Sequence, residues 1–308
     1  MMVDTDMPPP RLRIDAHHHL WQLGRFPYAW LAPDSPPRPF GEHGALKRDY
    51  LLTDYESDIA GSGIVGSVFV EANAGAPGTG EIEWVDEIAG AATLPSVAVG
   101  QLDLRRADVA CVVAQFERSP RMRGVRMSLC WDERPRWRFV DRPDVMLTAE
   151  FRAGLAALTR RGLVFDALVV PGQLAQLAGV ARANPSQTIV IDHLGTPWFE
   201  TPGDQAAWQS GMRECARCMN VHVKISALWT LDRRWRPDVI EGPVRFVLEL
   251  FGPERCLWGS NLPVEKVMCP LAEQLANLEH VLAYLSEPDR KRVFHDTAAR
   301  VYGIDMSA

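Results

Sequence analysis

The chain has 308 residues, 47% of them hydrophobic and 23% charged, enough apolar material for a sizeable core. A formal charge of −6 argues against a broad basic footprint for nucleic acid or an anionic membrane. No stretch of about 18 apolar residues is free of charges, so no membrane span is expected.

The opening MMVDTDMPPP has neither a basic n-region nor an apolar h-region, and it reads as a disordered leader over 1–10. The cytoplasm is the expected compartment. Residues 11–308 show no composition break and no low-complexity linker, which predicts a single domain. The first strand is expected in RLRIDAH (11–17), followed by a long loop rich in proline and aromatics (25–41). A helix with a Thr-x-x-Glu capping box is expected over 52–63. Strand patterns follow at 66–72, 96–104, 122–129, 163–170, 188–195, 221–228 and 255–263. Helical patterns lie at 80–92, 148–162, 172–184 and around 204–219, with two more at 267–285 and 288–303. Eight β-α units predict a (β/α)8 TIM barrel with extra C-terminal helices. A doubly wound sheet is the alternative, but no G-x-G-x-x-G follows the first strand.

Six cysteines, Cys111, Cys130, Cys215, Cys218, Cys256 and Cys269, are expected to be reduced. Cys215 and Cys218 form a C-x-x-C without a second pair, inside a helical pattern, so packing is the expected role.

In a barrel the informative polar residues are those at the C-terminal ends of strands. By the strand period of two, Asp15, His17 and His19 share one face and His18 the other. Two imidazoles on one inward face suit a shared metal or anion. Other strand ends offer Glu71, Arg126, Asp192, His193, Lys224, Ser226, Ser260 and Asn261, and their convergence predicts a site. In the loop after strand one, Tyr28 and Trp30 are candidates for stacking on a substrate. The clusters ERPRWRF (133–139) and LDRRWRP (231–237) lie on the same face. Solvated loop charge is their ordinary reading. Trp131, Arg136 and Trp229, with Arg126 and Lys224, are candidate contacts to a carboxylate-bearing substrate.

The combination of DAHHHLW, RGVRM, VIDHLG, VKISAL and LWGSNLPVEK resembles the amidohydrolase superfamily. More narrowly, it is similar to the lactonase group that includes L-fuconolactonase, sugar lactonases and 2-pyrone-4,6-dicarboxylate lactonase. The resemblance runs from Ile14 to the terminal AARVYG. It implies a (β/α)8 fold and a hydrolase acting on a lactone, with His17 and His19 as the strand-one pair and His193 as the strand-six histidine. It departs from the superfamily's binuclear members at strand five, where LVFDALVV carries Asp166 and no histidine. A two-metal centre is therefore not expected, and the resemblance allows for lactonases that use no metal. The second departure is Asn261, where the group carries a water-activating aspartate. An amide cannot take a proton at neutral pH.

Three accounts of Asn261 follow. Glu71 acts as replacement base or as a metal ligand with His17, His19 and His193, holding one divalent ion, zinc by preference, or none. Alternatively the chain isomerises a lactone or binds without turnover. Or the asparagine is an inactivating change. The first is the favoured account. A metal-dependent decarboxylase of an aromatic or dienoic acid is the competing enzyme class. The expected partner is a small molecule, with no nucleic acid or membrane, and the chain is expected to be a monomer or homodimer.

Overall fold

Eight short parallel strands pair strictly in chain order: β1 (Arg13–His18), β2 (Ile64–Val70), β3 (Val97–Gln101), β4 (Met122–Ser128), β5 (Val164–Leu168), β6 (Ile189–Ile191), β7 (Val221–Ile225) and β8 (Cys256–Trp258). The computed structural model describes residues 11–306 apart from 75–79 and 91; the leader expected at 1–10 lies outside the described residues. The ring closes between the segment after β8 and β1. The Asn261 amide donates to the His17 carbonyl and the His19 amide to the Leu262 carbonyl, each at 2.8 Å. Gly259 permits that approach, because a Cβ there would lie 2.8 Å from the His17 Cβ. The architecture is the TIM barrel expected from the alternation of patterns.

Inside the ring, Ile14, Ala16, Val68, Val70, Val99 and Val190 form one apolar cluster with Tyr302 and Ile304 of the C-terminal segment. Strands buried on both faces explain why β2 and β6 read as nearly continuous apolar runs. The outer layer holds α1 (Leu52–Ile59), α2 (Gly80–Ala89), α3 (Val109–Phe116), α4 (Ala149–Thr159), α5 (Leu174–Ala183), α6 (Pro202–Ala216) and α7 (Pro237–Phe251). It continues with α8 (Leu271–Val281), α9 (Glu287–Lys291) and α10 (Thr297–Tyr302). Two of these, α3 and α7, are absent from the sequence expectations; α7 carries Pro243 within it, which obscures a helical pattern. The α1 cap also differs. The helix starts at Leu52, and the Leu51 amide donates to Asp54 Oδ2 at 2.9 Å, so Asp54 does the work assigned to the Thr-x-x-Glu box.

The largest departure concerns strand length. β6 and β8 have three residues each, so Asp192, His193 and Asn261 lie beyond the strands. His193, Leu194, Ala227 and Asn261 all adopt positive φ, between 49° and 56°. Non-glycine residues are uncommon in that region, and such positions cluster at functional sites. No helix among the described residues is long and apolar enough to cross a membrane. The C-x-x-C thiols are both buried and donate to the Leu174 and Ala178 carbonyls, in keeping with a packing role.

Candidate active site

β1 does not alternate as its sequence suggests. A register shift against β2 falls between Asp15 and His18, so Ala16 and His17 both turn inward while Asp15 leaves the shared face. Asp15 instead accepts from Ser260 N (2.8 Å), Ser260 Oγ (2.5 Å) and Tyr55 OH (3.0 Å), clasping β1 to the segment after β8. His18 stacks on the same Tyr55, with ring centroids 3.9 Å apart, and bonds Ser67 Oγ.

Beneath His17 lies a fully buried charge network. Lys224 Nζ is 2.5 Å from Asp166 Oδ2, 3.1 Å from Asp192 Oδ1 and 3.2 Å from His17 Nδ1. Tyr302 OH donates to Asp166 at 2.9 Å, tying the C-terminal helix to the floor. Burial pushes the Asp166 carboxyl up to about 6 against the pull of the ammonium. For Asp192 burial also works upward, but Lys224 and then His17 outweigh it and hold the carboxyl well below its ordinary range.

This network sets the tautomers of the histidine pair. An ammonium only donates, so His17 Nδ1 accepts and Nε2 carries the hydrogen. His17 Nε2 lies 3.3 Å from His19 Nε2, and His19 Nδ1 lies 2.7 Å from the Val70 carbonyl, which only accepts. Both ends therefore impose one direction: Lys224 to His17 to His19 to Val70. Burial drives both imidazoles well below their ordinary pKa, so they are neutral at pH 7. His193 packs on His17 at 4.6 Å between centroids, and its Nδ1 lies 2.8 Å from Ser226 Oγ. Burial lowers His193 to about 4.

Above the floor opens a cavity of about 500 Å³, lined among others by His19, Trp30, Arg126, His193, Trp229 and Asn261. Arg126 donates through Nε to Gln101 Oε1 (2.9 Å) and through Nη2 to the Glu71 carbonyl (2.8 Å), leaving its remaining N–H groups to the cavity. Thr196, in the wall beside His193, has a buried hydroxyl with no hydrogen-bond partner.

Several residues expected here take other places. Glu71 does not reach the histidines. Its carboxylate accepts from the Gln101 amide at 2.5 Å, and burial and neighbouring Glu81 raise it well above the carboxylate range. Val68 and Val70 point into the ring, so strand alternation turns Glu71 outward with Phe69, and its carboxyl faces the start of α2 rather than the cavity wall. Lys224 belongs to the network below and touches no part of the wall. Tyr28 packs against Phe26 in the core, and Trp131 sits under Arg138, 5.6 Å from guanidinium to ring; neither lines the cavity. The Arg136 side chain lies outside the described part of the structure. In the two Arg-Trp clusters the arginines are mostly paired at the surface, Arg134 with Asp132 and Asp204 and Arg236 with Asp232. Of their aromatic members, Trp137 and Phe139 line the cavity and Trp235 is fully buried against Glu265, while Trp229, just before the second cluster, also lines the cavity.

Asn261 is held by a residue that sequence reasoning passed over. Glu265, fully buried, accepts from Asn261 Nδ2 (3.2 Å), Trp229 N (3.0 Å) and Trp235 Nε1, and burial pushes it up to about 7. The amide nitrogen thus faces Glu265. The signal was present in the motif as a carboxylate one helical turn after Asn261.

A metal-binding donor set also emerges, though not the expected one. His17, Asp192 and His193 bring one donor atom each within 4.8 Å of one another. Asp192 Oδ2 is buried without a hydrogen-bond partner, a carboxylate oxygen that a cation would satisfy. These residues would hold a divalent ion once His17 and Asp192 were released from Lys224, whose ammonium now occupies both. His19 and Glu71 fall outside that group.

Residues 14–304 match the amidohydrolase family model. The chain belongs to the amidohydrolase family. It is an enzyme of that family, and its histidine-centred mouth stands where a TIM barrel carries its chemistry. It is 33% identical to an L-fucono-1,5-lactonase of Burkholderia ambifaria over 95% of this chain and 96% of that one. A second L-fucono-1,5-lactonase, from Burkholderia multivorans, is 31% identical over 96% and 98%. Among solved structures, an amidohydrolase from Burkholderia multivorans with bound zinc superposes with a TM-score of 0.79. It is 28% identical, over 96% of this chain and all of that one.

Proposed function

We propose that the enzyme hydrolyses a lactone at the floor formed by His19, His193, Arg126 and Asn261. The observation that carries this reading is His193. It is neutral, oriented by Ser226, backed by the charge of Asp192, and faces a cavity with a partly free guanidinium. With its Nδ1 hydrogen given to Ser226, Nε2 presents a lone pair to water. His193 takes a proton as the water oxygen adds to the lactone carbonyl. Asp192 stabilises the imidazolium, and Arg126 and the Thr196 hydroxyl receive the developing oxyanion. When the ring C–O bond breaks, the imidazolium returns its proton to the leaving oxygen, and the new carboxyl ionises beside Arg126. His17 holds the His193 ring in place. Asn261 accepts a hydrogen bond through Oδ1 and orients the water without taking its proton.

A divalent ion such as zinc on His17, Asp192 and His193 would supply Lewis-acid polarisation of the carbonyl, and it would take the His193 lone pair in place of the base role. Ring opening releases a net proton, so a panel of lactones with a pH indicator tests the reading. Arg126→Ala is expected to lower kcat/KM by about 10²–10³-fold through loss of an oxyanion donor. Unchanged kinetics would remove Arg126 from this role.

A further inference from the structure

Part of the cavity wall is a continuous run of aromatic rings. Phe40 meets Trp229 at 5.7 Å between centroids, and Trp229 lies nearly parallel to Trp137 at 6.2 Å and 11°. Phe139 continues the row beside Trp137, and Trp30 is anchored by its Nε1 bond to the Ala72 carbonyl at 2.8 Å. These rings come from the loops after β1, β4 and β7, so three separate loops build one aromatic surface. Rings also stack on sugars, but a sugar then needs polar partners around its edge. Here several of those groups are already engaged, although the Thr196 hydroxyl is not. Gln101 serves Arg126 and Ser128, Thr230 donates to the Ala227 carbonyl, and Asp103 holds Arg105.

Charge follows a similar division. Four arginines line the cavity, and two are neutralised, Arg105 by Asp103 and Asp141 and Arg106 by Asp108. Arg126 lies on the floor. Arg38 has no carboxylate partner among the described residues. Its guanidinium lies 5.4 Å from the Phe139 ring centroid and 6.0 Å from that of Trp30. Among the described residues only its backbone is hydrogen-bonded, in the turn with Gly41. Aromatic faces stabilise the cation without satisfying its donors, so a planar fork of N–H groups is left facing the cavity.

We propose that the substrate is an aryl or benzo-fused lactone bearing an acid group, its ring system against the Trp137–Trp229 wall and its acid on Arg38. This rests on the hydrolase reading above and names the substrate class for the same site. It makes Arg38 and the aromatic wall the determinants of specificity, while the floor performs the chemistry.

The test compares a carboxylated dihydrocoumarin, its methyl ester and L-fucono-1,5-lactone on the purified protein. The acid is expected to be the fastest of the three by kcat/KM. It should exceed its ester by about 10–100-fold, the worth of a charge-assisted hydrogen bond. Arg38→Gln should erase the preference for acid over ester, mainly through KM. Equal or faster turnover of the sugar lactone, or an acid preference indifferent to Arg38→Gln, would overturn the proposal while leaving lactone hydrolysis standing. If no lactone is opened, hydrolysis itself fails, and recognition is read by binding. Saturable quenching of tryptophan fluorescence by the ring-opened aryl acid, absent with L-fuconate and lost in Arg38→Gln, upholds the substrate class. No quenching in the wild type overturns it.

Discussion

The floor and the wall of the cavity are built on opposite principles. On the floor, Lys224, Asp166, Asp192 and His17 are completely buried and paired through the Lys224 ammonium, with one Asp192 oxygen left over, and they project from strands or from the turns that end them. On the wall, rings and guanidinium groups come from long loops, and Arg38 is left without an acidic partner among the described residues. Low dielectric explains the difference. A buried charge that lost its partner would destabilise the fold, so the floor admits almost no variation. A loop group at the mouth can keep an unspent hydrogen bond for a ligand. In the proposed route the floor holds the chemistry in place and the wall sets what enters.

Lys224→Met tests that contrast most severely. Leaving Asp166 and Asp192 without their ammonium should cost about 3–5 kcal/mol in chemical denaturation and abolish turnover. A variant of wild-type stability would refute the view of the floor as a closed network.

His193→Gln should lower kcat/KM by about 10²–10⁴-fold while leaving the fold intact by circular dichroism. In the wild type the base must be neutral. With His193 lowered to about 4, the pH profile of kcat/KM should stay flat through the neutral range and fall as pH drops through about 4. An acidic limb near the ordinary histidine value of about 6.5 would assign the proton to another group.

Asn261→Asp sharpens the comparison where floor meets wall. The new carboxylate would stand against Glu265, and two carboxyls at hydrogen-bond distance cannot both ionise easily. Turnover should be retained or raised, because a base is restored. Glu265, already pushed up to about 7, should titrate still higher. The folded variant would then keep a proton that the unfolded chain releases, so its stability should decline as pH rises above neutrality. A pH-independent stability difference from the wild type would contradict the pairing.

The smallest effect is expected at the rim. Arg138 is exposed and donates to the Asp132 and Glu133 carbonyls. Arg138→Ala should leave KM within about twofold, as for other solvent-screened charges. A larger rise would return the outer arginines to substrate binding.

Much of this site was readable residue by residue. His17, His19, His193, Arg126, Trp30, Trp229 and Asn261 follow from polar or aromatic residues placed at strand ends and loops of a barrel, and all belong to the floor or wall. The misplacements have separate causes. Asp15 was assigned its direction by counting alternate residues, and the register shift in β1 breaks that count. Glu71 and Lys224 were placed in the site for standing at strand ends, whereas Glu71 turns to the Gln101 amide and Lys224 to the buried carboxylates. Arg38 and Glu265 were missed because their importance lies in what surrounds them, an absent carboxylate in one case and three donors in the other.

The sequence by itself determined the barrel, the face that carries the site and the histidines that centre it. Periodic apolar runs and strand-end polarity are local properties, visible along the chain. Only the tertiary structure decided which charges became floor and which remained available. That depends on partners distant in sequence, Lys224 against Asp166 and Asn261 beside Glu265 in a closed ring, and on the burial that makes an unmatched charge so costly.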